Sequence, residues 1–347
     1  MPREKAVQQG VSNVFHRTII AAAIAGFAAT AAQAQTSVPF ALDWKFEGPA
    51  APYFVAIDKG YFADKDLTVE ISEGAGSLDA IPKVATGAFP VGFTDINSVI
   101  KFLDQNPGAP ITGVMMIYDK PPFAVIGRKS LGITDDPKSL EGKILGAPPP
   151  DGAWAQFPIF AAENELDMAA ITVEPVGFPT REPMLAEGAV ASITGFSFTS
   201  YLNAARLGVP EDDLVTLLMS DYGVDLYGNA IIVNTEFAAE NPEVVKGFLE
   251  AVAMGWKDAI ADPAAAVESL MERNPAADAE LETRRLQLSI DANVKTEAAM
   301  AGFGLIDEDR MASAIEQIKL TYEFTNEPDA TLYFTEDYLP ESGFPLE

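Results

Sequence analysis

The residues best placed to do chemistry lie in one short stretch, Phe40 to Phe62, FALDWKFEGPAAPYFVAIDKGYF. Trp44, Phe46 and Glu47 follow an apolar run, Val38 to Leu42, that reads as a strand. Phe54, Val55, Ile57 and Tyr61 then recur near a 3.6-residue period, which predicts a helix, and Pro49 and Pro52 stand ahead of it where a missing N–H costs nothing. In open α/β sheets such strand-to-helix turns form ligand sites at strand carboxyl ends. Aromatic faces there stack on planar molecules or hold cations, and a carboxylate accepts N–H donors. The chemistry that is missing is as telling. The chain has no cysteine, and its single histidine is His16. Thiolate nucleophiles, disulfides, Ser-His-Asp and Cys-His catalysis and imidazole metal sites are therefore excluded beyond residue 34. An enzyme would have to work with carboxylates, Lys or Tyr. Binding without a metal or cofactor is the expected class.

The first 34 residues are set apart. Arg3, Lys5, His16 and Arg17 precede an apolar run, Thr18 to Ala32, which ends in the small-x-small sequence Ala32-Gln33-Ala34. This is the pattern of a cleavable secretory signal, too short for a permanent span, and predicts a periplasmic protein with no membrane insertion after cleavage. With three basic residues and Glu4 taken from the totals of 23 and 51, the mature chain carries 20 basic and 50 acidic side chains, a formal charge of −30. Nucleic acid and anionic membranes are poor partners for such a surface.

The elements that must position the site follow in a β-α-β-α order. Strands are expected at Leu67–Ile71, Pro90–Thr94, Ile111–Tyr118 and Phe123–Gly127, with helices between them. Ser77 is placed to cap the helix after Glu73-Gly-Ala-Gly76, whose glycines suggest close backbone approach. A second set runs through Lys143–Ala147, Ile171–Val176, Val190–Thr194 and Leu214–Met219. This is the signature of parallel sheets wrapped by helices, in two similar lobes. Tyr227–Val233 reads as a strand returning to the first lobe, followed by a long amphipathic helix in which Val245, Phe248, Leu249, Val252 and Trp256 repeat. Met184, Met219 and Trp256 are assigned to the core.

Leu42-Asp43-Trp44, Ala56-Ile-Asp-Lys-Gly60-Tyr61-Phe62 and Leu67–Ile71 together resemble the start of the bacterial periplasmic binding proteins for nitrate, sulfonate, taurine and thiamine-precursor pyrimidines, and Asn234–Leu249 resembles that family's post-hinge helix. The resemblance implies a type II periplasmic binding fold: two doubly wound α/β lobes joined by a two-strand hinge, closing on a small molecule for delivery to an ABC permease, as a monomer. Lobe 1 would comprise 35–127 and 229–347, lobe 2 would comprise 128–228, and the hinges would lie near Gly127 and at Tyr222–Gly228. The turn Lys45-Phe-Glu-Gly-Pro-Ala-Ala lacks the histidine frequent in pyrimidine binders, and the mature chain lacks the histidine and cysteines of the related yeast-type pyrimidine synthases.

Residues just after the strands are the candidate ligand contacts. From lobe 1 these are Trp44, Phe46, Glu47, Asp95, Asn97, Tyr118 and Phe123, with Asp95 also a helix cap and the two rings shared with core or hinge readings. From lobe 2 they are Asp151, Gly152, Trp154, Arg181, Thr194, Phe196 and Ser197. Arg181, close to Glu182 and Glu187, reads as half of a surface pair. Asp225, Tyr227 and Asn229 join them from the hinge, where a plain surface loop is the alternative. Aromatics and carboxylates with few basic residues favour an aminopyrimidine-like heterocycle. A taurine-like sulfonate or nitrate, held by Arg181 and the N–H groups of Gly152-Ala153, is the alternative ligand. An exported sensor and a carboxylate-only hydrolase are the alternative functions.

Overall fold

In the computed structural model, which describes residues 35–346, the chain builds two five-stranded sheets. The strands are β1 (Thr36–Ala41), β2 (Leu67–Ser72), β3 (Val91–Asp95), β4 (Ile111–Met116), β5 (Phe123–Arg128), β6 (Ile144–Ala147), β7 (Thr172–Pro175), β8 (Ser192–Phe196), β9 (Leu214–Leu218) and β10 (Asn229–Asn234). The first sheet has the order β2-β1-β3-β10-β4 and the second β7-β6-β8-β5-β9. Both are mixed rather than parallel. β10 runs antiparallel to β3 and β4, and β5 antiparallel to β8 and β9. These are the strands that follow the two lobe crossings, so their reversal is a consequence of how the chain enters each sheet. The expected signal segment, residues 1–34, lies outside the described residues. Among the described residues no helix is long and apolar enough to cross a membrane.

The reversed strands set the geometry of the site. Asn229, the first residue of β10, is paired with Asp95, the last residue of β3. Asn229 therefore stands at the same sheet edge as the turn that follows β1. Likewise Phe123, the first residue of β5, faces Phe196, the last of β8. This corrects the expected boundary at Gly127: β5 belongs to the second sheet, and the first crossing is 117–122. The sequence pattern of β5 is uniformly apolar, as for any fully buried strand, and carries no mark of which sheet receives it.

The crossings are joined to each other. Gly228 N–H donates to Tyr118 O at 2.9 Å, and Lys120 pairs with Asp221 at 2.7 Å. Arg310, on the helix Glu308–Lys319, reaches both: Nη2 donates to Asp119 O (2.8 Å) and Leu226 O (3.0 Å), while Nη1 meets the Asp119 carboxylate at 2.9 Å. Its guanidinium lies 4.1 Å from the Tyr227 ring centroid. Charge-assisted bonds of this kind contribute about 1.5–3 kcal/mol each, less where water competes. Arg310→Ala is expected to lower the unfolding free energy by about 2–3 kcal/mol, and Arg310→Lys to recover little because it lacks the fork. Urea denaturation of the two variants checks this.

Candidate functional site

Each lobe meets the cleft with strand-to-helix corners. In the first lobe β3 passes straight into the helix Ile96–Gln105, and Asp95 caps it by accepting the N–H groups of Asn97 and Ser98, both at 3.0 Å. Its carboxylate also accepts Asn97 Nδ2, Ser98 Oγ and, from the second lobe, Gln156 Nε2 at 2.9 Å. Asp95 is thus saturated and serves the lobe contact rather than a ligand. In the second lobe Asp151 caps the helix Gly152–Glu163, and β8 leads into the helix Ser197–Arg206.

Between these corners lies a narrow cavity lined by residues of both lobes. Its walls are aromatic: Tyr53, Phe93 and Tyr118 from the first lobe, Phe178, Phe196 and Phe198 from the second, and Trp44 across the gap. Trp44 meets Phe178 edge to face, centroids 4.6 Å apart, so a ring from each lobe closes one end. Gly76 permits the approach between the lobes, and Gly74 lets its loop pack on the turn after β1. A Cβ on Gly74 would lie 2.2 Å from Leu42 O, and one on Gly76, which has φ +106°, would lie 2.5 Å from Pro150 O of the other lobe.

The polar groups in this cavity are chiefly acidic. Asp43, immediately after β1, is 5% exposed and accepts Asn229 Nδ2 at 2.6 Å and Ser77 Oγ at 3.1 Å. Ser77 therefore does not cap its helix; Gly76 holds that position and the hydroxyl turns to Asp43. No ion pair reaches Asp43 among the described residues. Burial pushes its carboxyl up to about 7, against the lowering effect of its two side-chain donors. Glu47 accepts Thr199 Oγ1 from the second lobe at 3.2 Å and lies 3.3 Å from Arg285. Burial raises Glu47 as well, with Arg285 opposing. Asp151 accepts Thr194 Oγ1 at 3.1 Å and faces Arg181 at 3.8 Å, and its carboxyl is raised by burial, partly offset by Arg181.

Arg181 is a buried group, 2% exposed, and not half of a surface pair. It bonds Glu182 at 2.6 Å and lies 5.8 Å from the Trp44 centroid and 5.3 Å from that of Phe178. Each guanidinium is outnumbered: Arg181 sits between Asp151 and Glu182, and Arg285 between Glu47 and Glu282. Lys45, at the cavity's rim, is half exposed and pairs with Glu73 at 3.4 Å, so the buried cavity wall carries more carboxylates than cations, which suits ligands rich in N–H donors.

The expected contacts divide accordingly. Trp44, Glu47, Tyr118, Asp151, Arg181 and Phe196 line the cavity. Asn229 and Thr194 stand behind it and orient Asp43 and Asp151. Phe46 packs on Phe54, and Trp154 stacks on Phe157, both away from the cavity. Gly152 abuts Ser77, and Ala153 N–H is taken by Asp151, so that helix end is not open to an anion. Ser197 N–H donates to Pro122 O, Phe123 is core, and Asn97 braces Asp95 and Tyr227 O. Asp225 binds Arg310, and Tyr227 accepts Asp307 N–H at 2.8 Å, so both serve the hinge. Asp43, Ser77, Tyr53, Phe93, Phe178, Phe198, Thr199 and Arg285 were not foreseen. Asp43 alone carried a local signal, as the polar neighbour of Trp44 at the strand end; Phe178 and Arg285 reach the cleft only through tertiary packing.

The family model described as "NMT1/THI5 like" matches residues 49–266, more than half of the chain. The chain belongs to this family. Among relatives it is 25% identical over 302 residues to a riboflavin-binding protein of Chloroflexus aurantiacus, covering 85% of this chain and 83% of that one. It is 26% identical to a formylaminopyrimidine-binding protein of Halalkalibacterium halodurans (69% and 71% covered) and 25% identical to a 4-amino-5-hydroxymethyl-2-methylpyrimidine phosphate synthase of Aspergillus parasiticus (69% and 71%). The fold matches the periplasmic aliphatic sulphonate-binding protein of Escherichia coli with TM-score 0.68 at 12% identity, covering 87% and 99% of the chains. It matches the periplasmic nitrate-binding protein of Synechocystis PCC 6803 with TM-score 0.63 at 14% identity, covering 87% of each. The fold is that of the type II periplasmic binding proteins.

Proposed function

We propose that this is an exported solute-binding protein of an ABC importer, which closes on a planar nitrogen heterocycle of the aminopyrimidine type and hands it unaltered to a permease. The observation that carries the reading is Asp43, a buried carboxyl with no cationic partner among the described residues, on a cavity walled by rings. A carboxyl so placed accepts a ring N–H and an exocyclic amine together, in a bidentate contact. The flanking rings stack on the heterocycle. An inorganic anion or a sulfonate would instead meet Asp43, Glu47 and Asp151, with both nearby guanidinium groups and the Lys45 ammonium at the rim already paired with carboxylates. Family membership and the named relatives support a ligand of this class. Relatives named as synthases leave catalysis as the second reading, and the absence of histidine and cysteine beyond His16 favours binding alone.

Closure follows from differential affinity: ligand held by Asp43 and Trp44 gains Phe178, Phe196 and Asp151 only when the lobes meet. A thermal-shift panel of 4-amino-5-hydroxymethyl-2-methylpyrimidine, riboflavin, taurine and nitrate tests the assignment. A ligand at 100 times its Kd stabilises by about 2.7 kcal/mol, and the aminopyrimidine is expected to give that shift. A shift with taurine or nitrate alone would refute the heterocycle. Trp44→Ala is expected to weaken binding roughly 10- to 100-fold, the worth of one aromatic stacking contact, with melting of the ligand-free protein little changed. Unaltered affinity in that variant would remove Trp44 from the site.

A further inference from the structure

Arg285 has a role that the cavity alone does not account for. It lies on the helix Ala279–Ser289, which packs with the first lobe against Gly48–Ala50 and the helix Pro263–Arg273. Only 1% of Arg285 is exposed. On its own lobe it bonds Glu282 through Nε at 2.9 Å and approaches Glu47 at 3.3 Å, and Glu282 in turn accepts Gly48 N–H at 2.6 Å. Toward the second lobe it donates from Nη1 to Phe198 O (3.4 Å) and Thr199 O (3.3 Å) and from Nη2 to Asn203 Oδ1 (3.0 Å). Phe198 and Thr199 themselves line the cavity, and Thr199 Oγ1 donates to Glu47. One guanidinium thus touches a cavity-facing carboxylate and three acceptors that belong to the opposite lobe.

We propose that Arg285 is a positioning residue for Glu47 and the latch of lobe closure, locking the cavity when the second lobe's carbonyls and Asn203 complete its donor fork. The inference rests on the cleft being the ligand site. When the lobes part, Phe198 O, Thr199 O and Asn203 are withdrawn, and the guanidinium turns wholly to Glu47 and Glu282. When they meet, its donors are shared with the second lobe, and Glu47 keeps its 3.3 Å approach to Arg285 while gaining Thr199 Oγ1 and a ligand N–H. Capture at Glu47 and closure are thereby the same event. A planar fork is required, since an ammonium cannot serve three acceptors and two carboxylates in these directions. The neighbouring pair Arg284–Glu211, 2.7 Å apart and also between the lobes, has both side chains 48% exposed. It is solvent-screened and serves as the control.

The chain contains no cysteine, so Asp64→Cys and Glu187→Cys, both exposed, can carry a dye pair that reports the distance between lobes by single-molecule fluorescence. In this background Arg285→Lys and Asn203→Ala are compared with Arg284→Ala, without added compound and with 4-amino-5-hydroxymethyl-2-methylpyrimidine. Both latch variants are expected to deplete the short-distance population in either condition and to speed ligand release at least 10-fold, while Arg284→Ala matches the parent. Asn203→Ala removes an acceptor from the other side without stranding a carboxylate, so it reports even if Arg285→Lys fails to fold. Distance distributions identical to the parent in Asn203→Ala and in folded Arg285→Lys would overturn the proposal, as would weaker binding with unchanged distances and release. If the pyrimidine fails to shift the parent, the ligand assignment falls, and the comparison without added compound still decides the latch.

Discussion

Asp43→Asn is expected to stabilise the ligand-free protein at pH 8 while weakening aminopyrimidine binding at least about a hundredfold, the loss of two hydrogen bonds to a charged acceptor. The two effects have one origin. Burial lifts the Asp43 carboxyl from 3.8 to about 7 in the folded chain, so between those values the folded protein holds a proton that the unfolded chain has released. Stability is therefore fully present below about pH 4, declines as pH rises towards 7, and is flat above it. At about 1.4 kcal/mol per unit the loss is at most roughly 4 kcal/mol. Asparagine keeps the acceptor oxygen for Asn229 and Ser77 and removes the titration, so its stability advantage grows over the same window. Binding has its own sign. Asp43 and a ring nitrogen share one proton in the complex, so above pH 7 that proton must be taken from solvent and affinity falls tenfold per unit. Below the pH at which the free ring is itself protonated, the carboxyl proton is surplus and affinity falls again. Urea titrations and calorimetry from pH 5 to 9 check both halves. An affinity independent of pH in the parent, or a destabilised Asp43→Asn at pH 8, would contradict the account.

Arg181→Met carries the largest expected loss of stability, about 3–5 kcal/mol. Methionine fills the volume between Trp44 and Phe178 but leaves Asp151 and Glu182 buried without a cation. Asp151, whose carboxyl burial already raises, can protonate and relieve part of the penalty, so the loss should be greater at pH 8 than at pH 5. The urea midpoint at the two pH values is the measurement; an unchanged midpoint at pH 8 would mean that the pair does not compensate buried charge. The variant should also bind ligand less well, because Arg181 holds Asp151 and packs on the two rings that meet across the cleft.

Much of this was legible before folding. Helical period and apolar runs bounded by turns found nearly every helix and strand, because the helices bury one face and strands such as β3, β4, β5 and β10 are buried on both. The turn holding Trp44 and Glu47 was legible because aromatic and acidic residues after an apolar strand have few structural uses together. Sheet membership of β5 was not, since a uniformly apolar strand fits either lobe and either direction. Asp225 and Tyr227 misled because a staple for two crossing segments needs the same polar and aromatic residues as a ligand site. Asp95 and Asp43 illustrate the limit most clearly. Both are aspartates at the ends of neighbouring strands, yet one is consumed by helix N–H groups and the other is oriented by a side chain 186 residues away. Only the antiparallel return of β10 separates their roles.

The central claim is a closing cavity that selects N–H donors by buried carboxylates and releases them unchanged. Isothermal titration of the mature chain at pH 6.5 with 4-amino-5-hydroxymethyl-2-methylpyrimidine and, separately, with taurine tests it most directly, followed by mass analysis of the compound recovered from the protein. Saturable one-to-one binding of the pyrimidine, its recovery intact, and no heat from taurine are predicted. Saturation by taurine with none by the pyrimidine, or recovery of an altered compound, would contradict it.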